Sequence, residues 1–291
     1  MAYTARVGAN TFSLREKIRG VRLALPAVLW LLLFFILPLI IVLIISFMSR
    51  GPRGSVVFPL TLENYADVFG GVYFPVILRS IWIAGVTTVI CLLVGYPLAF
   101  FISTRQNKRV QQLALFLVIL PFWTNFLVRT YAWRVLLGEE GTINSILLNL
   151  GLIGEPLQML NTQFAVLVGL VYGYLPFMVL PIYASVERFD FRLVEASYDL
   201  GANDWRAFWR VVFPLTLPGV IAGCILVLIP TIGAFVTPDL LGGTEGLMIG
   251  NLIQGQFRGS GNWPRGSALS MVLMLLVGLS LVIYVRFANK D

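Results

Sequence analysis

Six long runs of uncharged, mostly apolar residues divide this 291-residue sequence. Reading from one charged residue to the next gives the runs 23–49, 80–104, 110–128, 156–186, 211–238 and 266–285. A helix needs about 20 mostly apolar residues to cross the hydrocarbon core of a bilayer. Removing loop residues from the ends places the predicted spans at about 23–49, 80–104, 110–128, 164–186, 214–236 and 266–285. The sequence therefore predicts an all-α polytopic membrane protein with six transmembrane helices.

The composition excludes a soluble or disordered chain. Hydrophobic residues make up 58% and charged residues 12%, whereas soluble domains average about 45–50% and about 25%. Disorder requires low hydrophobicity and high charge.

The first run is far longer than the roughly 7–15 apolar residues of a signal peptide, so we expect a retained helix. One membrane domain, 23–286, is predicted between an N-terminal segment, 1–22, and a tail, 287–291.

The distribution of positive charge predicts the orientation. Assigning the N-terminus, 105–109, 187–210 and the C-terminus to the cytoplasm gives that side 14 Lys and Arg in 57 residues, against 7 in 92 for the opposite loops. Cytoplasmic loops carry the excess of basic residues in membrane proteins. We therefore expect a multi-pass protein of the bacterial inner (plasma) membrane, in contact with lipid, with both termini inside. Because this bias accounts for most of the net charge of +7, no nucleic-acid partner is expected.

The residue inventory excludes several kinds of catalytic chemistry. The sequence contains no histidine, which removes imidazole acid–base catalysis, Ser-His-Asp triads and imidazole metal ligands. Cys91 and Cys224 each lie in an apolar run and form no CxxC pair, so we interpret them as small buried hydrophobes. We expect no catalytic site, no metal site and no cofactor bound by this chain.

The predicted cytoplasmic loop 187–213 contains two amphipathic segments. In the first, an apolar face is formed by Leu193, Ala196 and Leu200, and a charged face by Arg192, Glu195 and Asp199. Gly201 is predicted at the C′ position, where φ is positive, and Asp204 is predicted to cap a second helix.

The second segment has an apolar stripe at i, i+3, i+4 and i+7, made of Trp205, Phe208, Trp209 and Val212. Arg206 and Arg210 lie together on the opposite side. Such a helical hairpin could lie in the membrane interface. The mixture of acids and arginines on its polar faces favours a groove on another protein.

A spaced pattern runs through the same loop. Three residues separate Ser197 from Gly201 and nine separate Gly201 from Val211. The residues of the pattern are Glu195, Ala196, Ser197, Gly201, Val211, Phe213 and Pro214. The pattern resembles the EAA signature of ATP-binding cassette (ABC) importer permeases, E-A-A, three residues, G, nine residues, I-x-L-P. Its departures are Ser197 for Ala, Val211 for Ile and Phe213 for Leu.

The resemblance implies a type I ABC importer permease fold and a coupling helix that docks into a cytoplasmic P-loop ATPase. Arg192 and Asp199 join Glu195 on the polar face that would meet this ATPase. A Walker A loop needs Gly-Lys-[Ser/Thr], whereas Lys17, Lys108 and Lys290 follow Glu, Asn and Asn. ATP and Mg²⁺ are therefore expected on the partner subunit, and this chain is not expected to be an enzyme.

Longer stretches resemble the spermidine/putrescine permeases among these importers. They are 121–133, 169–183, 214–223, 237–243 and 250–257. The resemblance implies a path for polyamines formed with a second permease, and favours a paralogue as that subunit. It also implies two copies of the ATPase and an extracytoplasmic substrate-binding protein. Permeases for iron, sulfate or another small solute share the EAA loop and are the alternative.

Aromatic residues and one carboxylate are the candidates for the substrate path, because aromatic faces and carboxylates attract organic cations. These candidates are Trp123, Tyr131, Tyr172, Tyr174, Phe177 and Asp239, and Asn125 in the stretch 121–133 is added to them. Trp123, Tyr131 and Trp133 fit an interfacial aromatic belt equally well. For Asp239, the alternative to an outer gate is termination of a helix beside Pro238.

An ion-coupled secondary transporter would place ionisable residues at mid-membrane. The six runs contain no Asp, Glu, Lys, Arg or His.

Overall fold

The computed structural model describes residues 25–71 and 73–288. The predicted N-terminal segment, 1–22, and residues 289–291 of the predicted tail lie outside the described residues. The described helices are α1 (Leu25–Ser46), α2 (Glu63–Gly70), α3 (Tyr73–Ser103), α4 (Lys108–Trp123), α5 (Phe126–Leu137), α6 (Thr142–Asn149), α7 (Gln163–Glu187), α8 (Arg192–Asp199), α9 (Asp204–Ile232), α10 (Val236–Leu241), α11 (Ile249–Arg258) and α12 (Trp263–Ala288).

Five of these helices are long and apolar enough to cross a membrane, namely α1, α3, α7, α9 and α12. A bent pair, Lys108–Trp123 and Phe126–Asn149, makes a sixth candidate when its two helices are counted as one span. The predicted helical membrane fold is therefore confirmed. The sequence did not predict a short antiparallel hairpin after α1, in which β1 (Met48–Arg50) pairs with β2 (Val56–Leu60).

The third span differs from the single helix predicted at 110–128. α4 ends at Trp123, and the chain turns by 92° before α5. Thr124 and Asn125 have extended backbone, with ψ of 149° and 129°. The Asn125 side chain accepts hydrogen bonds from the backbone N–H groups of Leu127 and Val128. A capping side chain of this kind starts a new helix and so competes with continuation of the old one.

The core is built where α3, α7 and α9 cross. Met178 of α7 is fully buried between Gly95 of α3 and Gly223 of α9. A Cβ atom added at Gly95 would lie 3.0 Å from Met178 Cγ, and one at Gly223 would lie 2.8 Å from its Sδ. The two glycines thus let the three helix backbones approach closely around one side chain. α1 packs against α12 and is otherwise exposed along its length.

The two ends of the bundle carry different elements. We call them the α8 end, where α3 finishes and α9 begins, and the α10 end, where α9 finishes. At the α8 end, the rings of Phe100 and Phe191 lie 6.3 Å apart. At the α10 end, the Ser80 hydroxyl accepts a 2.8 Å bond from the N–H of Ile249, and the Asn251 side-chain amide donates to the carbonyl of Phe235 at 2.9 Å. These bonds fix α11 between α3 and the end of α9.

Candidate functional site

The turn predicted at Gly201 is confirmed by its φ of 81°. α8 ends just before it, and Gly201 donates its backbone N–H to the carbonyl of Tyr198 at 2.9 Å. The next residue, Ala202, donates to the carbonyl of Ser197 at 3.0 Å. The backbone therefore closes α8 with the left-handed residue that a helix C-terminus favours. Ser197, which replaces alanine in the EAA pattern, donates its hydroxyl to the carbonyl of Val194 at 2.7 Å and is satisfied.

The cap predicted at Asp204 is wrong. Asn203 holds the cap position, with φ −92° and ψ 171°, and its side chain accepts from the N–H of Arg206 at 2.9 Å. Asp204 is the first helical residue. The second amphipathic segment is also not a separate helix, because α9 runs from Asp204 to Ile232 through a π-helical turn at Phe208–Val212.

The predicted apolar stripe of this segment divides between two surroundings. Phe208 and Val212 pack inward, and the Phe208 ring lies 5.6 Å from the ring of Tyr96 on α3. Trp205 and Trp209 are 69% and 46% exposed and pack on each other, with ring centres 5.6 Å apart. Phe208 and Val212 therefore hold α9 against the core, whereas the indole rings of Trp205 and Trp209 stay at the surface.

The last part of the EAA pattern joins α9 to α3. The ring of Phe213 lies 5.8 Å from that of Tyr96 and 5.0 Å from that of Trp209. Val211 is half-buried, and Pro214 is exposed in the next turn. Phe213 therefore anchors the pattern to the membrane core.

The first part of the pattern forms an exposed face on α8. Arg192, Glu195, Ala196 and Asp199 are all exposed. Leu200, which the sequence placed on an apolar face without a further role, is 89% exposed at the tip of the turn. α8 therefore presents charged side chains together with an almost fully exposed leucine at its tip.

A cavity of about 360 Å³ separates α8 from the start of α9. It is lined by Phe100, Phe191, Val194, Tyr198, Asp204, Ala207, Phe208 and Val212. A side-chain hydrogen bond to Asp204 is the main cause that raises the pKa of the Tyr198 phenol, with smaller contributions from desolvation and from the charge of Asp204. Tyr198 lines this cavity from α8, and Asp204 lines it from α9.

The path candidates in the third span lie around its bend. Trp123 and Tyr131 are 75% and 51% exposed. Asn125 is exposed, but its side-chain oxygen is used to cap α5. Exposure of this kind fits an interfacial belt as well as a path, so the interpretation of Trp123 and Tyr131 stays open.

The aromatic candidates on α7 form two groups of ring contacts. Tyr172 lies edge-on to Trp133 of α5, with ring centres 5.4 Å apart. Tyr174 lies 6.1 Å from Phe177, and Phe177 lies 5.2 Å from Phe122 of α4. The first group therefore connects α7 to α5, and the second connects it to α4.

Asp239 is exposed in the first turn of α10. The alternative that it ends the fifth span is wrong, because α9 ends at Ile232, before α10 begins. α10 is fixed to α5 and its following loop by Leu241, which is fully buried against Leu137. Asp239 is thus an exposed carboxylate at the α10 end, on a helix that Leu241 holds in place.

Two further carboxylates at the α10 end were missed by the sequence reasoning. Glu139 and Glu140 are exposed and line a cavity of about 380 Å³ with Gln158, Leu160 and Asn161. Asn144 fixes the surrounding loop by donating to the carbonyls of Gly138 and Leu157 and accepting from the N–H of Leu157. The Glu-Glu pair after an aromatic-rich segment was the available signal. Within the described residues, no group of three or more Cys, Asp or Glu could hold a metal ion.

Comparison with known proteins agrees with this architecture. Residues 93–289 match the family described as binding-protein-dependent transport system inner membrane component. The spermidine/putrescine transport system permease protein PotB of Haemophilus influenzae is 48% identical over 261 residues, which cover 90% of this chain and 91% of that protein. The protein of the same name from Escherichia coli is 44% identical over 257 residues, covering 88% and 93%.

A solved structure has the same fold. It is the bacterial alginate ABC transporter in complex with an alginate pentasaccharide-bound periplasmic protein, matched with a TM-score of 0.77 and 17% identity over 95% of this chain and 96% of that one. The predicted type I importer permease fold is thereby confirmed. The chain belongs to the family of binding-protein-dependent transport system inner membrane components and is a permease subunit of the spermidine/putrescine (PotB) type.

Proposed function

We propose that this chain and a second permease form the path by which an ABC importer takes up polyamines such as spermidine and putrescine. The observation that carries the proposal is the exposed face of α8, closed by Gly201 and continued by α9 into the core. The 48% identity to a spermidine/putrescine permease supports the substrate class. Importers for iron, sulfate or another small solute are the alternative, because the type I fold also occurs in an alginate transporter.

In this proposal the α8 end faces the cytoplasm, both termini are inside, and the protein lies in the bacterial inner membrane. Two copies of a P-loop ATPase bind ATP and Mg²⁺ and dock on the permease pair. This chain offers Glu195, Arg192, Asp199 and Leu200 to its ATPase. The charged side chains supply pairing and the leucine supplies an apolar contact, a combination typical of protein interfaces.

α9 gives the coupling its mechanical basis. It is a single helix of 29 residues, so at 1.5 Å per residue it extends about 44 Å. Its first turns touch the docking surface, and its last residue lies just before the anchored helix α10. A displacement imposed by the ATPase at Asp204 is therefore carried along one helix to the opposite end of the bundle.

The side chains at the α10 end suit a cationic substrate. Asp239, Glu139 and Glu140 are exposed there, and the aromatic candidates Tyr172, Tyr174 and Phe177 lie further along α7. An extracytoplasmic binding protein delivers the substrate at this end. Carboxylates raise the local concentration of a polycation, and aromatic faces attract its ammonium groups.

The test is uptake by the complete transporter reconstituted in proteoliposomes. Labelled spermidine and putrescine should be accumulated in an ATP-dependent manner, whereas labelled sulfate or iron should not. Glu195→Arg should remove the ATPase from the purified complex, because loss of one partner of a buried ion pair costs about 2–5 kcal/mol. Glu187→Arg, which changes an exposed carboxylate at the end of α7, is the matched control and should retain it.

Two results would contradict the proposal. Uptake of iron, sulfate or another small solute in place of polyamines would show that the alternative substrate class is the correct one. Normal co-purification and normal substrate-stimulated ATP hydrolysis in Glu195→Arg would show that α8 is not the docking element.

A further inference from the structure

A single arginine lies where α4, α5 and α7 meet. Arg129 of α5 donates from Nη1 to the carbonyl oxygen of Pro121, in the last turn of α4, at 2.7 Å. Its guanidinium carbon lies 5.5 Å from the ring centre of Phe126 and 5.7 Å from that of Tyr172 on α7. A cation within about 6 Å of a ring centre is attracted to the face of the ring. Arg129 thus contacts all three helices at the bend of the third span.

The groups that hold Arg129 are a carbonyl and two aromatic rings rather than an acid. Over residues 25–71 and 73–288, the ion pair present joins Arg265 to Asp67, and no carboxylate pairs with Arg129. The arginine is half-buried. A carbonyl oxygen and aromatic faces are equally suited to a primary or secondary ammonium group, which donates hydrogen bonds and carries the same charge.

An apolar cavity begins at the same point. Its volume is about 330 Å³, and two of the three groups that hold Arg129, Pro121 and Tyr172, are among its lining residues. The others are apolar side chains of α3, α4 and α7. A cation-binding set of rings beside an apolar cavity matches an alkylamine, whose charged group and methylene chain need these two surroundings.

Resting on the proposed function, we infer that Arg129 is a tethered competitor of the transported polyamine. Its guanidinium occupies the site formed by Pro121, Phe126 and Tyr172 while the bend is closed. A polyamine ammonium takes its place when the path opens, and the adjoining methylene chain lies in the apolar cavity. Arg129 keeps the site filled with a cation in the absence of substrate and returns to it after release.

A purely structural role for Arg129 predicts opposite results. If the arginine only fastened the bend, its removal would weaken the site, and an added guanidinium compound would restore it. If the arginine competes with substrate, its removal would strengthen substrate binding, and an added guanidinium compound would compete again. The sign of both effects therefore separates the two roles.

The experiment measures equilibrium binding of labelled spermidine to the purified permease–ATPase complex in nanodiscs without the binding protein. The variants are Arg129→Ala, and Arg129→Gln, which keeps an amide donor for the Pro121 carbonyl. Arg134→Gln on the same helix, at an exposed position, is the matched control. Loss of a competing cation–π contact should lower Kd roughly twofold to thirtyfold in both Arg129 variants. Ethylguanidinium should raise Kd again in Arg129→Ala but not in the wild-type complex.

An unchanged or higher Kd in an assembled Arg129→Gln complex would overturn the inference. So would restoration of binding in Arg129→Ala by ethylguanidinium. Wild-type uptake of labelled polyamine is measured in parallel and tests the proposed function. If the wild type transports polyamines and the variants show no tighter binding, only the role of Arg129 fails. If the wild type transports none, the proposed function fails and the inference with it.

Discussion

The phenol oxygen of Tyr96 on α3 lies 2.9 Å from the hydroxyl oxygen of Thr216 on α9, and both side chains are buried. The same Tyr96 ring contacts Phe208 and Phe213. These contacts join α9 to the core one turn beyond the exposed surface of the EAA pattern. A displacement of the start of α9 would therefore be passed to α3 through these contacts.

Tyr96→Phe should test this connection with the smallest change. It removes the hydrogen bond but keeps the ring, and Thr216 still donates to the carbonyl of Val212 at 2.9 Å. We expect a loss of about 1 kcal/mol in stability, whereas Tyr96→Leu should cost more because its contacts with two rings disappear. Thermal unfolding of the purified complex measures both. Equal effects of the two changes would mean that the aromatic contacts contribute little.

Gly201→Val should impair docking of the ATPase through backbone strain. The φ of Gly201 is 81°, and nothing lies within 4 Å of an added Cβ, so the cost of at least about 1 kcal/mol comes from the left-handed conformation alone. Gly151→Val is the matched control, with φ 66° and equally open space in the segment after α6. We expect ATPase to be lost from the first complex and retained in the second. If both variant complexes retain the ATPase, the turn at Gly201 is not part of the docking element.

Gly219→Ala and Gly173→Ala should separate a packed glycine from a permissive one. A Cβ at Gly219 would lie 2.5 Å from Ser185 Cβ and 2.7 Å from the Pro181 carbonyl oxygen, whereas one at Gly173 meets nothing within 4 Å. Overpacking typically costs about 1–3 kcal/mol. We therefore expect a lower yield and a lower unfolding temperature for Gly219→Ala only. Matching values for the two variants would contradict the close approach of α7 and α9.

Asp239→Asn should reduce polyamine uptake at limiting substrate, because one attractive charge is lost at the α10 end. The effect should diminish at high ionic strength, where exposed charges are screened. Glu245→Gln, another exposed carboxylate of that end, is the control for net charge. Equal losses in both variants would indicate a general charge effect, and no loss in either would place recognition elsewhere.

Glu139→Gln combined with Glu140→Gln tests the acidic cavity in the same assay. The pair lines a cavity of about 380 Å³, so removal of both charges should weaken uptake of triply charged spermidine more than that of doubly charged putrescine. Each substrate charge adds its own attraction to the cavity. Assembly should be unchanged, since both side chains are exposed. An equal reduction for the two polyamines would argue against an electrostatic role.

The sequence by itself determined the membrane fold, because uncharged runs of about 20 residues have few stable alternatives to a spanning helix. It also determined the turn at Gly201, since a positive φ is a local requirement that glycine meets at little cost. The EAA pattern also located the exposed face of α8, because the spacing of residues along one helix is local information too.

Only the tertiary structure decided which residues of these segments meet. Trp205 and Phe208 belong to one stripe in sequence, yet one is exposed and the other packs against Tyr96, because the position of α3 relative to α9 is not written in either segment. The bend at Asn125 lay inside an uninterrupted apolar run, where hydropathy gave no signal for a cap. Arg129 reaches Tyr172 across 43 positions of sequence, and that contact exists only because the bend turns α5 toward α7.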